Sequence, residues 1–301
     1  MPEAARSWFY LLDEDQVAQV HGVLDRALAA DGTAPLSEQA VHHVVGKSES
    51  SRHLLWTLDD SIVGYASLEP PHGEHPAMVE VAVDPAHRGI GIGRGLVREA
   101  LAQGGEGTRF WAHGDLPAAR AVAAHLGLSP VRELLQLRRP LDRPELPDVA
   151  VPDGVILRTY AGAEDDAELL RVNAAAFDWH PEQGSWTERE IAERRAESWF
   201  DPEGLFIAAD AGTGAVLGFH WTKVHPATSE SGELGEVYVV AVDPAAQGRG
   251  LGRLLTVAGL RYLRDRGLGT VLLYTEADNV AALHTYERLG FERFHVDVAY
   301  A

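Results

Sequence analysis

The strongest constraint on this chain is that it repeats itself. Val83-Asp84-Pro85 runs into Ala-His-Arg-Gly-Ile-Gly-Ile-Gly, ending at Gly93, and Val242-Asp243-Pro244 runs into Ala-Ala-Gln-Gly-Arg-Gly-Leu-Gly, ending at Gly252. The two copies stand 159 residues apart, as Val83 and Val242 show. Downstream, AVAAHLGL (121–128) aligns with HTYERLGF (284–291) at a spacing of 163, so one four-residue difference in length separates the copies. A period this long implies a duplicated domain rather than a solenoid. With 301 residues, two domains of ordinary size are expected.

The clearest break in composition is Arg139 to Gly154, RPLDRPELPDVAVPDG. Its four prolines lack amide donors and bias the preceding residues to extended backbone, so neither a helix nor a paired central strand is expected there. The expected organisation is an N-terminal domain over 1–139, a linker over 140–154 and a C-terminal domain over 155–301. Hydrophobic periodicity gives the N-terminal half a helix over 14–30 closed by Gly32, strands near 53–58, 62–68 and 79–83, a Gly-rich helix over 93–103, a strand at 109–113 and a helix at 118–126. The C-terminal half gives a strand at 155–160, a helix at 164–177 and a capping box at Thr187 and Glu190 opening a second helix. A hairpin (205–210, 216–224), a strand at 234–242, a helix at 250–266, a strand at 270–275, a helix at 280–289 and a strand at 293–300 follow.

Composition removes several chemistries. There is no cysteine, hence no disulfide, thiolate metal site or cysteine nucleophile. The net charge of −19 is spread over both halves and argues against nucleic-acid or anionic-membrane partners, which require a basic field. The first residues show no signal-peptide pattern, and no apolar run approaches a membrane span. A cytoplasmic protein is expected, with a monomer as the simplest assembly. His42, His43, His72 and His75 lack the spacing and carboxylate support of a metal site, so no metal is expected.

The repeated motif places a glycine-rich turn between a strand and a helix. Unpaired amides at a helix N-terminus, with the positive end of the helix dipole behind them, make an anion cradle. Gly89, Gly91 and Gly93, and likewise Gly248, Gly250 and Gly252, let a diphosphate approach the backbone. The dinucleotide fingerprint fails, because its third glycine falls on Leu255 in the second copy. Gly46-Lys47-Ser48 lacks the earlier glycine of a phosphate-binding loop, since Val41 stands there. What remains is Arg88-Gly-Ile-Gly-Ile-Gly93 and Gln247-Gly-Arg-Gly-Leu-Gly252, each after a strand.

This pattern resembles the GCN5-related N-acetyltransferase (GNAT) superfamily, whose amides in this turn hold the pyrophosphate of acetyl-coenzyme A. The resemblance implies an α/β (α+β) chain of two tandem GNAT domains, each a mixed, mostly antiparallel sheet flanked by helices. Segments 110–121, 180–187, 217–226, 235–252 and 272–291 are further similar to the mycothiol synthase family, and the match spans essentially the whole chain. That family's activity is acetyl transfer from acetyl-CoA to the cysteinyl amine of a cysteinyl-glucosaminyl-inositol. The resemblance implies that acetyl-CoA is held at Val81, Ala82, Val83, Gly89, Ile90, Gly91, Ile92, Gly93 and Arg94 in one half. In the other it implies Val240, Ala241, Val242, Gln247, Gly248, Arg249, Gly250, Leu251, Gly252, Arg253, Asn279, Ala282 and His284. The same resemblance places the small-molecule amine substrate at Glu38, Glu182, Lys223, Glu236 and Tyr274.

Amine acetylation needs a base, a stabilised oxyanion and an acid for the leaving thiolate. Glu236 lies on the strand feeding the second cradle, and a period of two puts Glu236, Tyr238, Val240 and Val242 on one face. Glu236 is the candidate base through a water, the Val240 amide the candidate oxyanion donor, and Tyr286 the candidate acid. At the repeat spacings, Glu236 falls on Ala77, Tyr286 on Ala123 and Asn279 on Leu116. The first copy thus keeps the cradle and lacks the proton carriers, so catalysis is expected in the second copy alone. Two other functions fit the same motifs: acetylation of another amine, such as an aminoglycoside or a protein N-terminus, and non-catalytic acyl-CoA sensing.

Overall fold

A computed structural model describes residues 4–46, 51–71, 76–178, 183–227 and 232–301. In chain order the first half forms β1 (Ala4–Phe9), α1 (Glu14–Asp31), α2 (Glu38–Val45), β2 (Arg52–Leu58), β3 (Ser61–Glu69), β4 (Met78–Val83), α3 (Ile92–Gly104), β5 (Arg109–Ala112), α4 (Pro117–Leu126) and β6 (Pro130–Pro140). The second half forms β7 (Val155–Thr159), α5 (Asp166–Ala176), α6 (Glu188–Ala196), β8 (Leu205–Asp210), β9 (Val216–His225), β10 (Leu234–Val242), α7 (Leu251–Asp265), β11 (Thr270–Glu276), α8 (Val280–Arg288) and β12 (Glu292–Tyr300). Every element read from periodicity is present. β1, α2 and β6 were not anticipated; α2 is only eight residues long, and β6 carries three arginines and a glutamate that mask its alternation.

The chain forms two compact units, and neither is contiguous in the way its sequence suggests. Unit 1 contains residues 1–134 and 295–301; unit 2 contains residues 135–294. The unit 1 sheet runs β1-β2-β3-β4-β5 and ends on β12. The unit 2 sheet runs β7-β8-β9-β10-β11 and ends on β6. This corrects the expected boundaries of 1–139 and 155–301. Side-chain packing decides the exchange: Val298 and Tyr300 of β12 are buried with Phe110, Ala112 and Val97, and Tyr300 Oη donates to Asp115 at 2.6 Å. Chain order alone does not assign the two terminal strands.

The 140–154 segment lies between strands as expected, but it is packed rather than free. Leu141 and Leu146 are buried, the Leu141 amide donates to Gly269 O at 2.9 Å, and Val149 packs against the α7 core. Arg139, itself buried, donates to the carbonyls of Pro140 and Pro144.

Both units have the same two-sided core. In unit 1, α1 and α2 cover one face through Val20, Val23, Leu24 and Val44, and α3 covers the other through Ile92, Leu96 and Ala100. In unit 2, α5 and α6 supply Leu169, Val172 and Ile191, and α7 supplies Leu251, Leu254 and Leu255. Each fully buried side chain of this size contributes roughly 1.5–3 kcal/mol. A glycine on the strand before the motif strand allows the helix to approach. A Cβ on Gly64 would stand 2.9 Å from Leu96, and one on Gly218 would stand 2.7 Å from Ala241 O and 3.0 Å from Leu255. Because the obstacle at Gly218 includes backbone, Gly218→Ala should cost about 1–3 kcal/mol. A calorimetric scan should show unit 2 melting several degrees lower, with an exposed Gly212→Ala control unchanged.

In unit 1, His113 lies between Glu80 (3.0 Å) and Asp297 (3.5 Å), and Glu80 also accepts from Ser37 N and Oγ. Burial disfavours the imidazolium, but hydrogen bonds and charge from Asp297 and Glu80 outweigh it and raise the His113 pKa to about 9. Burial alone would raise the carboxyls of Glu80 and Asp297, but His113, together with Ser37 at Glu80 and with His295 and the Gly114 amide at Asp297, outweighs it and holds both below their ordinary range. A raised histidine pKa gives stability that is complete below about 6.5 and lost as pH rises through 9. The depressed carboxyls give stability present above about 4 and lost on acidification. The melting temperature of unit 1 should therefore fall as pH rises from 7 to 10, and His113→Gln should flatten that alkaline fall.

Candidate active site

The site begins with the aspartate of each Val-Asp-Pro motif. Asp84 and Asp243 each accept from the amide two residues on, at 2.9 Å, capping a single helical turn. Each is held by an arginine of the unit's first helix, Arg26 to Asp84 at 2.7 Å and Arg171 to Asp243 at 2.5 Å. The chain then passes through two left-handed glycines, Gly89 (φ 80°) and Gly91 (φ 96°) in unit 1, Gly248 (φ 76°) and Gly250 (φ 76°) in unit 2. Helices α3 and α7 start on the second of these with no side-chain cap. The first-turn amides are thus left for an anion. Ile90, Gln247, Gly248, Arg249, Gly250 and Arg253 are exposed along the turns, and Gly93, Arg94 and Gly252 are half-buried. The side chains of Ile92, Leu251, Ala82 and Ala241 belong to the cores, so at these positions only backbone can serve a ligand. Arg88 is committed elsewhere: it grips Asp31 with two bonds of 2.7 Å.

In unit 1 a cavity of about 580 Å³ opens beside the cradle. Val81, Val83, Phe110, Ala112, Leu116 and Val122 line it together with the Gly89–Gly93 turn. It lies where β4 and β5 separate, and its walls are largely apolar.

Unit 2 differs from unit 1 at one point of the sheet. The β9–β10 register shifts between Val237 and Val239, leaving Tyr238 as a bulge, whereas β3–β4 pairs without a shift. The bulge changes two expectations. Glu236 and Tyr238 do not share a face with Val242: Tyr238 packs with the α5/α6 core, and Val242 with the α7 core. Val240 pairs with His220, whose Nδ1 meets Leu255 O of α7 at 2.8 Å. The bulge also moves the repeat equivalence. Glu236 pairs with Lys223 as Met78 pairs with Glu69, so Met78, rather than Ala77, occupies the Glu236 position in unit 1. The parallel pairing of β10 with β11 reaches Glu236↔Leu272, while β4 with β5 continues to Glu80↔Trp111. Unit 2 therefore opens its strand pair two residues deeper.

Glu236 sits at the base of that opening. Its carboxylate is 9% exposed and meets His225 Nε2 at 2.7 Å. Lys223 is opposite in register, yet its ammonium lies over the rings of Trp199 (5.2 Å) and Tyr238 (5.5 Å). Arg194 donates to Tyr238 Oη at 2.9 Å and stacks on Trp186 at 3.9 Å. Tyr286 is half-buried on α8 and edge-on to Phe291 at 5.6 Å, and burial pushes its hydroxyl pKa up to about 12. Asn279 caps α8 by accepting from the Ala282 amide at 3.2 Å, and His284 is exposed on the same helix. Tyr274 is half-exposed, and Gln136 of β6 donates to its hydroxyl at 2.6 Å. Glu38 opens α2 in unit 1, and Glu182 lies outside the described residues. Sequence reasoning missed His225 and Gln136. His225 was legible, because Lys223 and His225 are two apart on one strand; Gln136 was not, because β6 was unread.

The acetyltransferase (GNAT) family profile matches the chain twice, over residues 21–128 and 173–291. The chain belongs to the acetyltransferase (GNAT) family. A protein of Rhodococcus opacus (strain B4) is 66% identical over 100% of this chain and 99% of its own length. One of Nocardia farcinica (strain IFM 10152) is 65% identical over 98% of this chain and 96% of its own. One of Mycolicibacterium smegmatis is 56% identical over 98% of each. All three are named mycothiol acetyltransferase. Among solved structures, a GCN5-related N-acetyltransferase from Sphaerobacter thermophilus has the same fold (TM-score 0.72, 21% identity, 99% of this chain and 94% of that one). So does a tandem GNAT protein from the clavulanic acid pathway (TM-score 0.71, 22% identity, 99% and 98%). The two GNAT domains expected from the repeat are thus present, and the protein is an N-acetyltransferase.

In this GNAT protein the two cradles can be tested directly. A Cβ on Gly250 meets nothing within 4 Å in the protein but forces a non-glycine residue into φ 76°, at about 1–2 kcal/mol. Gly250→Val should raise the KM for acetyl-CoA tenfold or more in steady-state kinetics while lowering the melting temperature by only a few degrees.

Proposed function

We propose that the protein transfers the acetyl group of acetyl-CoA to the cysteinyl amine of cysteinyl-glucosaminyl-inositol, yielding mycothiol, and that unit 2 does so alone. The acceptor is taken from the full-length relatives named mycothiol acetyltransferase. The observation that carries the assignment to unit 2 is that both units have a cradle, but among the described residues only unit 2 has the bulged strand with a buried carboxylate at its foot.

Acetyl-CoA supplies the thioester and, with its pyrophosphate on the Gly248–Gly252 turn, extends its thiol arm into the opening between β10 and β11. Glu236 takes the proton from the cysteinyl ammonium through a water. The Val240 amide stabilises the oxyanion as nitrogen attacks the thioester carbonyl. Tyr286, protonated throughout the neutral range because its pKa stands near 12, protonates the departing CoA thiolate and is restored, through solvent, by the second proton that the nitrogen sheds as the amide forms. With no cysteine in the chain, acetyl passes directly between the two substrates. Lys223, Tyr274 and Glu182 serve the sugar and inositol hydroxyls. The unit 1 cavity and cradle hold a second acetyl-CoA without turnover, since Met78 and Ala123 carry no exchangeable proton. We place the reaction in the cytoplasm, where acetyl-CoA is available.

Thiol release from acetyl-CoA should be fast with the cysteinyl pseudo-disaccharide and slow with a panel of aminoglycosides and N-terminal peptides. Glu236→Gln and Tyr286→Phe should each lower kcat by about 10²–10⁴-fold with little change in melting temperature. CoA binding without release for any amine would instead support a sensor.

A further inference from the structure

We propose that His225 is a positioning and proton-relay residue that carries the amine proton from Glu236 to solvent. The inference rests on the reading of Glu236 as base. A base buried to 9% exposure must discharge its proton after each turnover, and among the described residues the neighbours of Glu236 leave one route. The cation opposite it in register, Lys223, is held over Trp199 and Tyr238. Arg194, the other cation bound to this aromatic group, is spent on the Tyr238 hydroxyl and Trp186. The carboxylate instead meets an imidazole at 2.7 Å, and that imidazole is 31% exposed.

A permanent cation at this distance would weaken the base by favouring its charged form. A neutral imidazole leaves it basic and can itself accept a proton. Glu236 takes a proton from the substrate ammonium, leaving the neutral amine. At rest the neutral imidazole donates Nε2–H to the ionised carboxylate. Once Glu236 carries the substrate proton, tautomer exchange through water moves the imidazole hydrogen to Nδ1. Nε2 then accepts the proton from the carboxyl group while Nδ1–H is lost to water, which restores the resting tautomer with one proton moved from amine to solvent. The alternating spacing of β9, which puts residues 223 and 225 on one face, sets cation and relay side by side and assigns them different partners.

The test compares His225→Ala, His225→Gln and Glu236→Gln with acetyl-CoA and the cysteinyl pseudo-disaccharide. His225→Ala should lower kcat about tenfold or more, leave both KM values within a few-fold, and recover with millimolar imidazole in proportion to its free-base concentration. His225→Gln, which keeps a hydrogen bond but moves no proton, should stay slow, and it serves as the test variant should the alanine variant not fold. Wild-type kcat in either variant, or a slow alanine variant that imidazole does not rescue, overturns the relay. Glu236→Gln separates the two ideas. If it runs at the wild-type rate, the base assignment fails; if it is slow while His225→Gln is not, only the relay fails.

Discussion

A helix that starts on a left-handed glycine without a capping side chain leaves its first amides unanswered, and both units are arranged around that deficit. The aspartate of Val-Asp-Pro fixes the turn before it, an arginine from the first helix fixes the aspartate, and a glycine on the neighbouring strand lets the helix seat against the sheet. None of these parts touches the reaction. Together they aim a set of backbone donors at the mouth of a parted strand pair, where an acidic chain of net charge −19 otherwise offers little to a polyanionic substrate.

In the strand that leads into each cradle, the two units diverge by one inserted residue. Bulges bend a strand and re-aim its side chains, and the bulge at Tyr238 does three things. It opens β10 from β11 two residues sooner than β4 parts from β5. It turns Glu236 toward the α5/α6 face. It also brings Tyr238 into the aromatic group that holds Lys223 off the carboxylate. In unit 1 the unbulged β4 instead turns Glu80 into a bonded assembly with Ser37 and His113. Its carboxylate is bound to two structural partners and unavailable as a base.

The sequence exposed most of this because its signals were local. The capping box at Thr187, the left-handed Gly32 and the glycine turns act within a few residues, and each appears as read. What escaped depends on pairing between distant segments. A period of two predicts one face for Glu236, Tyr238, Val240 and Val242, and a single bulge, set by how Val237 and Val239 meet β9, breaks it. The same shift converts Ala77 into Met78 as the counterpart of Glu236. A spacing rule carries no information about where a register slips.

The exchange of terminal strands is the sharpest case of the same limit. Consecutive elements usually pair, and on that rule β6 closes the first sheet and β12 the second. Here β6 lies beside β11, and β12 beside β5, with Tyr300 stacked on Phe110 at 6.2 Å and Asp297 bonded to His113 and the Gly114 amide. The consequence reaches the site as well as the fold. Gln136, encoded in the first half, is the residue that holds the Tyr274 hydroxyl in unit 2. Cutting the chain at its proline-rich segment therefore removes one strand from each sheet, along with one side chain of the candidate acceptor site. The boundary that composition marks most clearly is one across which neither unit is complete.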